Sequence, residues 1–153
     1  MIYRHGRIVP KVFEPRRCVR VCAQENRQNT AIAGFVEPGE ILEDAVAREV
    51  LEETGIHTEA ITYESSQPWP FPSSTMCGYY AEAVSRDCAP TEEMEELRWF
   101  TAGQLAAAIR QDEIRVPPPV SIAFRLISDW YEQQCGEDLE ALVRAAGSWQ
   151  ARK

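Results

Sequence analysis

Glu49, Glu52 and Glu53 crowd three carboxylates into one part of the stretch GFVEPGEILEDAVAREVLEETGI, residues 34–56. From Ile41 to Thr54 the pattern is helical, and Gly55 supplies the C-terminal stop. On a helix turning 100° per residue, the three glutamates fall within a sector of roughly 100°. Leu42, Ala45 and Val46 share that sector, whereas Glu43, Asp44, Ala47, Arg48, Leu51 and Thr54 point largely the other way. Carboxylates that continue an apolar stripe lose hydration and repel one another unless a cation offsets them. A hard divalent ion such as Mg²⁺ or Mn²⁺ prefers such all-oxygen surroundings. A charge run more often means a solvated acidic face. Periodicity alone leaves both meanings open.

The wider spacing separates them. Gly34, five residues, Glu40, seven residues, Arg48-Glu49, the aliphatic Val50, one residue, Glu52-Glu53, one residue, Gly55 and the aliphatic Ile56 follow in order. This pattern resembles, at every position, the box of the Nudix hydrolase superfamily. The resemblance implies an α/β fold: a single-domain α/β/α sandwich with a mixed sheet, in which the box forms loop, helix and loop. It also implies hydrolysis of a nucleoside diphosphate linked to a second moiety, with Mg²⁺ or Mn²⁺ as cofactor.

Downstream lies SQPWPFPSS, residues 66–74, in which three prolines alternate with Trp69 and Phe71. Proline fixes φ and lacks a backbone donor, so the segment is expected to be neither helix nor central strand. It reads as a stiff, extended ridge that holds both aromatic rings. Taken alone, such a ridge is a rigid surface loop or a proline-rich partner motif. After a Nudix box, SQPWPFPSSTM is similar to the signature of the NADH pyrophosphatases, which cleave NAD(H) to a nicotinamide mononucleotide and AMP. Some of that family also remove NAD caps from RNA 5′ ends. AGFVEPGE and RVPPPVSIAFRLI resemble the same family, so the likeness runs from about Ala31 to Trp130.

Carried over residue by residue, the resemblance implies a substrate site lined by Gln67, Pro68, Trp69, Pro70, Phe71, Pro72, Ser73 and Ser74. Ala123 would touch the ligand through its backbone, and Phe35 would stack on the base or nicotinamide. Such a stack is worth about 1–3 kcal/mol by comparison with nucleic-acid binders. Glu49, Glu53, Glu93 and the Ala33 carbonyl match metal ligands, and Glu52 matches the remaining glutamate of the box. In this account the ions offset phosphate charge and activate a water, and Glu53 or Glu93 takes its proton. Arg48 is expected to face away from the metals and brace the helix by pairing with Glu40. The catalytic set is therefore Glu53, Glu52 and Arg48.

These groups need a scaffold, and 153 residues suffice for one domain that buries roughly 68–70% of its unfolded surface. A net charge of −8 argues against a broad nucleic-acid face, so RNA enters only as a capped 5′ end. The five cysteines are scattered and no CxxC occurs; with 33 residues before Gly34, neither a zinc ribbon nor zinc is expected. No apolar run is long enough for a signal peptide or a membrane span, which makes a cytoplasmic protein the default. Strands are expected at 7–13, 17–23, 30–33, 57–65, 75–84 and 98–100, and helices at 41–54, 101–110 (N-capped by Thr101), 120–134 and 137–146. Residues 1–30 read as shortened N-terminal strands, 31–134 as the catalytic domain and 135–153 as a helical extension. In relatives a partner subunit's tyrosine completes the ring-stacking site of a homodimer, and Tyr3 is the only tyrosine upstream of the box. Two other readings compete: a broader nucleoside-diphosphate pyrophosphatase, on ADP-ribose for example, and a degenerate domain that binds a dinucleotide without cleaving it.

Cleavage of NADH with Mn²⁺ tests the proton assignment. Glu53→Gln is expected to lower kcat by roughly a hundredfold or more; equal rates in the two proteins would remove Glu53 from the mechanism.

Overall fold

A computed structural model of the chain describes residues 6–14, 18–24, 28–30, 32–69, 74–85 and 96–147. The described elements are β1 (Gly6–Glu14), β2 (Cys18–Gln24), β3 (Gln28–Thr30), β4 (Gly34–Phe35), α1 (Leu42–Thr54), β5 (Thr58–Trp69), β6 (Ser74–Ala83), β7 (Glu96–Phe100), α2 (Ala102–Arg110), α3 (Ile122–Cys135) and α4 (Leu139–Ala146). The strands join in one mixed sheet in the order β3-β2-β1-β6-β5, with β4 on β1 and β7 on β2. β1 and β6 run parallel, from Gly6 opposite Thr75 to Phe13 opposite Glu82. The other pairings are antiparallel.

Side chains alternate faces along a strand, and β6 shows how that alternation builds the layers. Tyr79, Ala81 and Ala83 pack with Ala45, Val46 and Val50 of α1. The intervening Met76 and Tyr80 pack with Ile122, Ala123 and Leu126 of α3. The helices α1 and α3 therefore cover opposite faces of the same strand, the α/β/α sandwich expected from the sequence. A second core gathers Leu105 and Ile109 of α2, Trp130 and Tyr131 of α3, and Leu139 and Val143 of α4. Burying each large side chain of this kind contributes about 1.5–3 kcal/mol.

Local chemistry explains the helix ends. Thr101 and Gln104 form a reciprocal capping box at α2, Ser121 caps α3 and Asp138 caps α4. Gly55 closes α1 at φ 69°, a left-handed conformation that glycine adopts without penalty, and its N–H reaches the Leu51 carbonyl.

Of the strand expected at 30–33, Thr30 ends β3, while Ile32 and Ala33 belong to no strand and precede β4. The strand expected to stop at 65 instead continues to Trp69, with Pro68 opposite Thr75 and Trp69 opposite Ser74. An edge position tolerates proline because one side of the strand has no ladder to supply, and β5 ends the strand order.

Gly78 sets how closely α3 approaches the sheet. A Cβ there would stand 3.0 Å from Ile122 Cδ1 and 3.1 Å from Leu126 Cδ1. Gly78→Val should therefore lower stability in urea by about 1–3 kcal/mol through overpacking. An unchanged unfolding midpoint would show that α3 does not rest on this strand.

Candidate active site

The loop before α1 is organised by two side chains, Glu40 and Arg48. The Glu40 N–H donates to the Glu37 carbonyl at 3.1 Å, and the Glu37 N–H returns a bond to Glu40 Oε2 at 3.0 Å. Arg48 grips the same carboxylate with two donors, Nε to Oε1 at 2.8 Å and Nη2 to Oε2 at 3.0 Å. Nη2 also donates to the Phe35 carbonyl at 2.9 Å. The guanidinium fork thus fastens both ends of the 35–40 loop to α1, a geometry that lysine's single ammonium could not reproduce.

Arg48 meets Glu40 as the sequence suggested, but it does not turn away from the other glutamates. Nη1 reaches Glu49 Oε1 at 3.0 Å and Glu52 Oε2 at 3.1 Å. The helical projection locates Cα positions and ignores the reach of a long side chain, which here bends back along the helix. Glu49 Oε1 also accepts from the Phe35 N–H at 3.1 Å, while its Oε2 makes no hydrogen bond among the described residues. Gly34 makes room for that carboxylate: a Cβ at this position would lie 1.8 Å from Glu49 Cδ. Any other residue at 34 must displace Glu49.

Of the three glutamates, two turn inward. The Glu49 side chain is 14% exposed, and Glu53 is half-buried with its Oε2 enclosed. Glu52 is 59% exposed and stands at the rim. Leu42 is likewise exposed, whereas Val50 and Thr54 are buried. The buried stripe is centred nearer Val46 and Val50 than the sequence projection placed it. Thr54 tolerates burial because its hydroxyl donates to the Val50 carbonyl at 2.5 Å and accepts the Ile56 N–H at 3.2 Å.

On the other side of Gly34, Ala33 and Met76 pack against the cluster that Ile122, Ala123 and Leu126 of α3 form. Met76 lies opposite Gln67 in the β5–β6 ladder. Among the described residues, Glu49 thus lies against Gly34, and the neighbouring Ala33 shares a cluster with Met76 and α3, with Gln67 opposite Met76. Phe35 is 48% exposed and Trp69 45%, so both side chains reach the surface. Ser74 is buried and Pro68 exposed. Pro70, Phe71, Pro72, Ser73, Glu93 and Tyr3 lie outside the described residues. The backbone of Phe35, which holds both Glu49 and Arg48, had no sequence signal, because every residue type carries the same amide.

The residues fit a hard divalent cation better than a soft one. Their donors are carboxylate oxygens and a carbonyl, and Gly34 opens the space for the innermost carboxylate. Among the described residues, no three His, Cys, Asp or Glu side chains close a cage by themselves.

Fold and box together define a known class. The model of the NUDIX domain matches residues 3–118, and the chain belongs to that family. It is 47% identical over 105 residues to the NAD-capped RNA hydrolase NUDT12 of Macaca fascicularis, covering 66% of this chain and 23% of that protein. It is 45% identical over 102 residues to the NAD-capped RNA hydrolase NudC of Yersinia pestis (strain Pestoides F), covering 66% of this chain and 36% of that protein. The chain thus spans only about a quarter to a third of these relatives' length. A NUDIX hydrolase from Nitrosomonas europaea shares the fold, with a TM-score of 0.65 at 24% identity over 90% of this chain and 76% of that one. No helix among the described residues is long and apolar enough to cross a membrane.

Hydrogen bonds from Arg48, then from the Glu37 N–H, hold the Glu40 carboxyl below the ordinary glutamate range, against the opposing effect of burial. A depressed folded pKa contributes stability above the unfolded value, and that stability is lost as pH falls through the folded one. Arg48 is shifted upward, chiefly by its bond to Glu40 and then by those to Glu49 and Glu52, and stays charged throughout. Glu40→Gln should therefore be less stable than wild type at neutral pH, with the gap closing below about pH 4. A gap constant from pH 7 to pH 3 would show that the pair does not carry this linkage.

Proposed function

We propose that this chain is a metal-dependent pyrophosphatase that cleaves NADH and NAD to nicotinamide mononucleotide and AMP. One observation carries the reading: Glu49 lies against Gly34, and the neighbouring Ala33 shares a cluster with α3, whose Ile122 N–H donates to the ridge residue Gln67. Carboxylates suited to a diphosphate's counter-ion are thereby linked to a segment similar to the NADH pyrophosphatase signature. The names of the NUDT12 and NudC relatives support the same substrate class.

Glu49, Glu53 and the Ala33 carbonyl would hold Mg²⁺ or Mn²⁺, with Glu93 as a further ligand. When bound, such a cation offsets diphosphate charge and makes a water a stronger nucleophile. Glu53, half-buried beside Glu49 on α1, takes the proton of the attacking water, and Glu52 assists from the rim. Arg48 keeps the loop and helix in register. Phe35 offers its exposed ring to the base or nicotinamide, and Gln67, Pro68, Trp69 and Ser74 carry the adjoining wall. Residues 31–134 form the catalytic unit in this reading. The protein acts in the cytoplasm and can pair as a homodimer. A capped RNA is held by its 5′ end, since a net charge of −8 gives little grip on the following phosphates.

Turnover of NADH and ADP-ribose at matched concentrations with Mg²⁺ or Mn²⁺ tests the substrate class. NADH should have the higher kcat/KM by about tenfold, equivalent to one lost ring contact. An ADP-ribose rate equal to or above that of NADH would replace the dinucleotide assignment with a broader pyrophosphatase.

A further inference from the structure

The side-chain amide of Gln67 joins groups far apart in sequence. Its Nε2 donates to the Val120 carbonyl at 2.5 Å, 53 residues away. Its Oε1 accepts from the Ile122 N–H at 2.9 Å and from Trp69 Nε1 at 3.2 Å. Three of the amide's four hydrogen-bonding places are occupied, so little remains for a ligand.

Neither element needs this side chain merely to form. Backbone pairing already joins Gln67 to Met76, Pro68 to Thr75 and Trp69 to Ser74. The start of α3 already has a cap, because Ser121 Oγ accepts the Phe124 N–H at 3.1 Å and donates to the Pro118 carbonyl at 2.8 Å. What the amide adds is orientation. An exposed indole can turn about its side-chain torsions, and a bond to its N–H fixes the plane of the ring. The same amide holds the first turn of α3, whose Ile122 and Ala123 belong to the cluster that Ala33 packs against.

We propose that Gln67 is a positioning residue that locks the Trp69 indole and the first turn of α3 into one wall of the dinucleotide site. It acts on binding of the substrate's flat-ring end rather than on bond cleavage, and this role rests on the NAD(H) reading above. The sequence placed Gln67 among residues that line the substrate; its bonds make it the support behind that lining.

Two variants divide its bonds. Gln67→Met keeps the length and loses all three, while Gln67→Glu keeps the acceptor for Trp69 and Ile122 and loses the donor to Val120. Hydrogen exchange at the Ile122 amide and the Trp69 indole reads the lock directly. NADH affinity without divalent ion, and KM and kcat with Mg²⁺, read its consequence. Gln67→Met should speed both exchanges by about tenfold or more in a protein that unfolds as cooperatively as wild type. It should also raise Kd and KM for NADH by about tenfold with kcat changed less than about threefold, and Gln67→Glu should fall between. Unchanged exchange, or faster exchange with unchanged NADH affinity, overturns the proposal, as does a fall in kcat at constant KM. Wild type that binds NADH with a Gln67-dependent affinity yet never cleaves it would sink the hydrolase reading and uphold the lock. Wild type that cleaves NADH no better than Gln67→Met would sink the lock alone.

Discussion

The site depends on one guanidinium among three carboxylates. Arg48 takes Glu40 in a two-pronged grip and touches Glu49, Glu52 and the Phe35 carbonyl with its remaining donors. An exposed ion pair contributes about 0–1 kcal/mol, and removing one partner of a fully buried pair costs about 3–5 kcal/mol. Side-chain exposures of 24% for Arg48 and 15% for Glu40 put this pair between those limits. Its larger effect is geometric. Without the cation, like charges at the end of the helix would separate, and the loop that carries Phe35 would lose its fastening to α1.

Two glycines set the tolerances of that arrangement through the atoms they lack. Gly34 leaves the space that the Glu49 carboxylate occupies, so the acid lies against backbone where the Phe35 N–H can hold it. Gly78 lets Ile122 and Leu126 sit close on the sheet, in the cluster that Ala33 packs against. Both contacts are steric: a methyl group at 34 displaces the Glu49 carboxylate, and one at 78 presses on the Ile122 and Leu126 side chains.

Much of this was legible in the sequence because it follows from short-range rules. The span of α1, its glycine stop and the Thr101 cap depend on neighbours within one helical turn, and all three appear as expected. The inward direction of Glu49 and Glu53 followed from 3.6-residue periodicity. Glu52, Leu42 and Thr54 did not follow it, because which part of a helical face is buried depends on where the sheet lies beneath it. The extension of β5 through Pro68 was hidden for a similar reason. Proline excludes a central strand, and only the sheet order shows that β5 stands at its edge.

By itself the sequence determined the chemistry: carboxylates at helical spacing, a glycine-flanked loop before them and a proline-aromatic segment after them. Spacing along the chain is covalent, so it survives without any knowledge of the fold. Tertiary structure alone decided the meetings, since hydrogen bonds to backbone carbonyls and amides carry no residue-type signature. Gln67 finds Val120 and Ile122 across more than fifty residues, and Phe35 holds Glu49 and Arg48 through its main chain. Those contacts accompany the packing of α1 and α3 on opposite faces of β6, which brings together segments that the chain keeps apart.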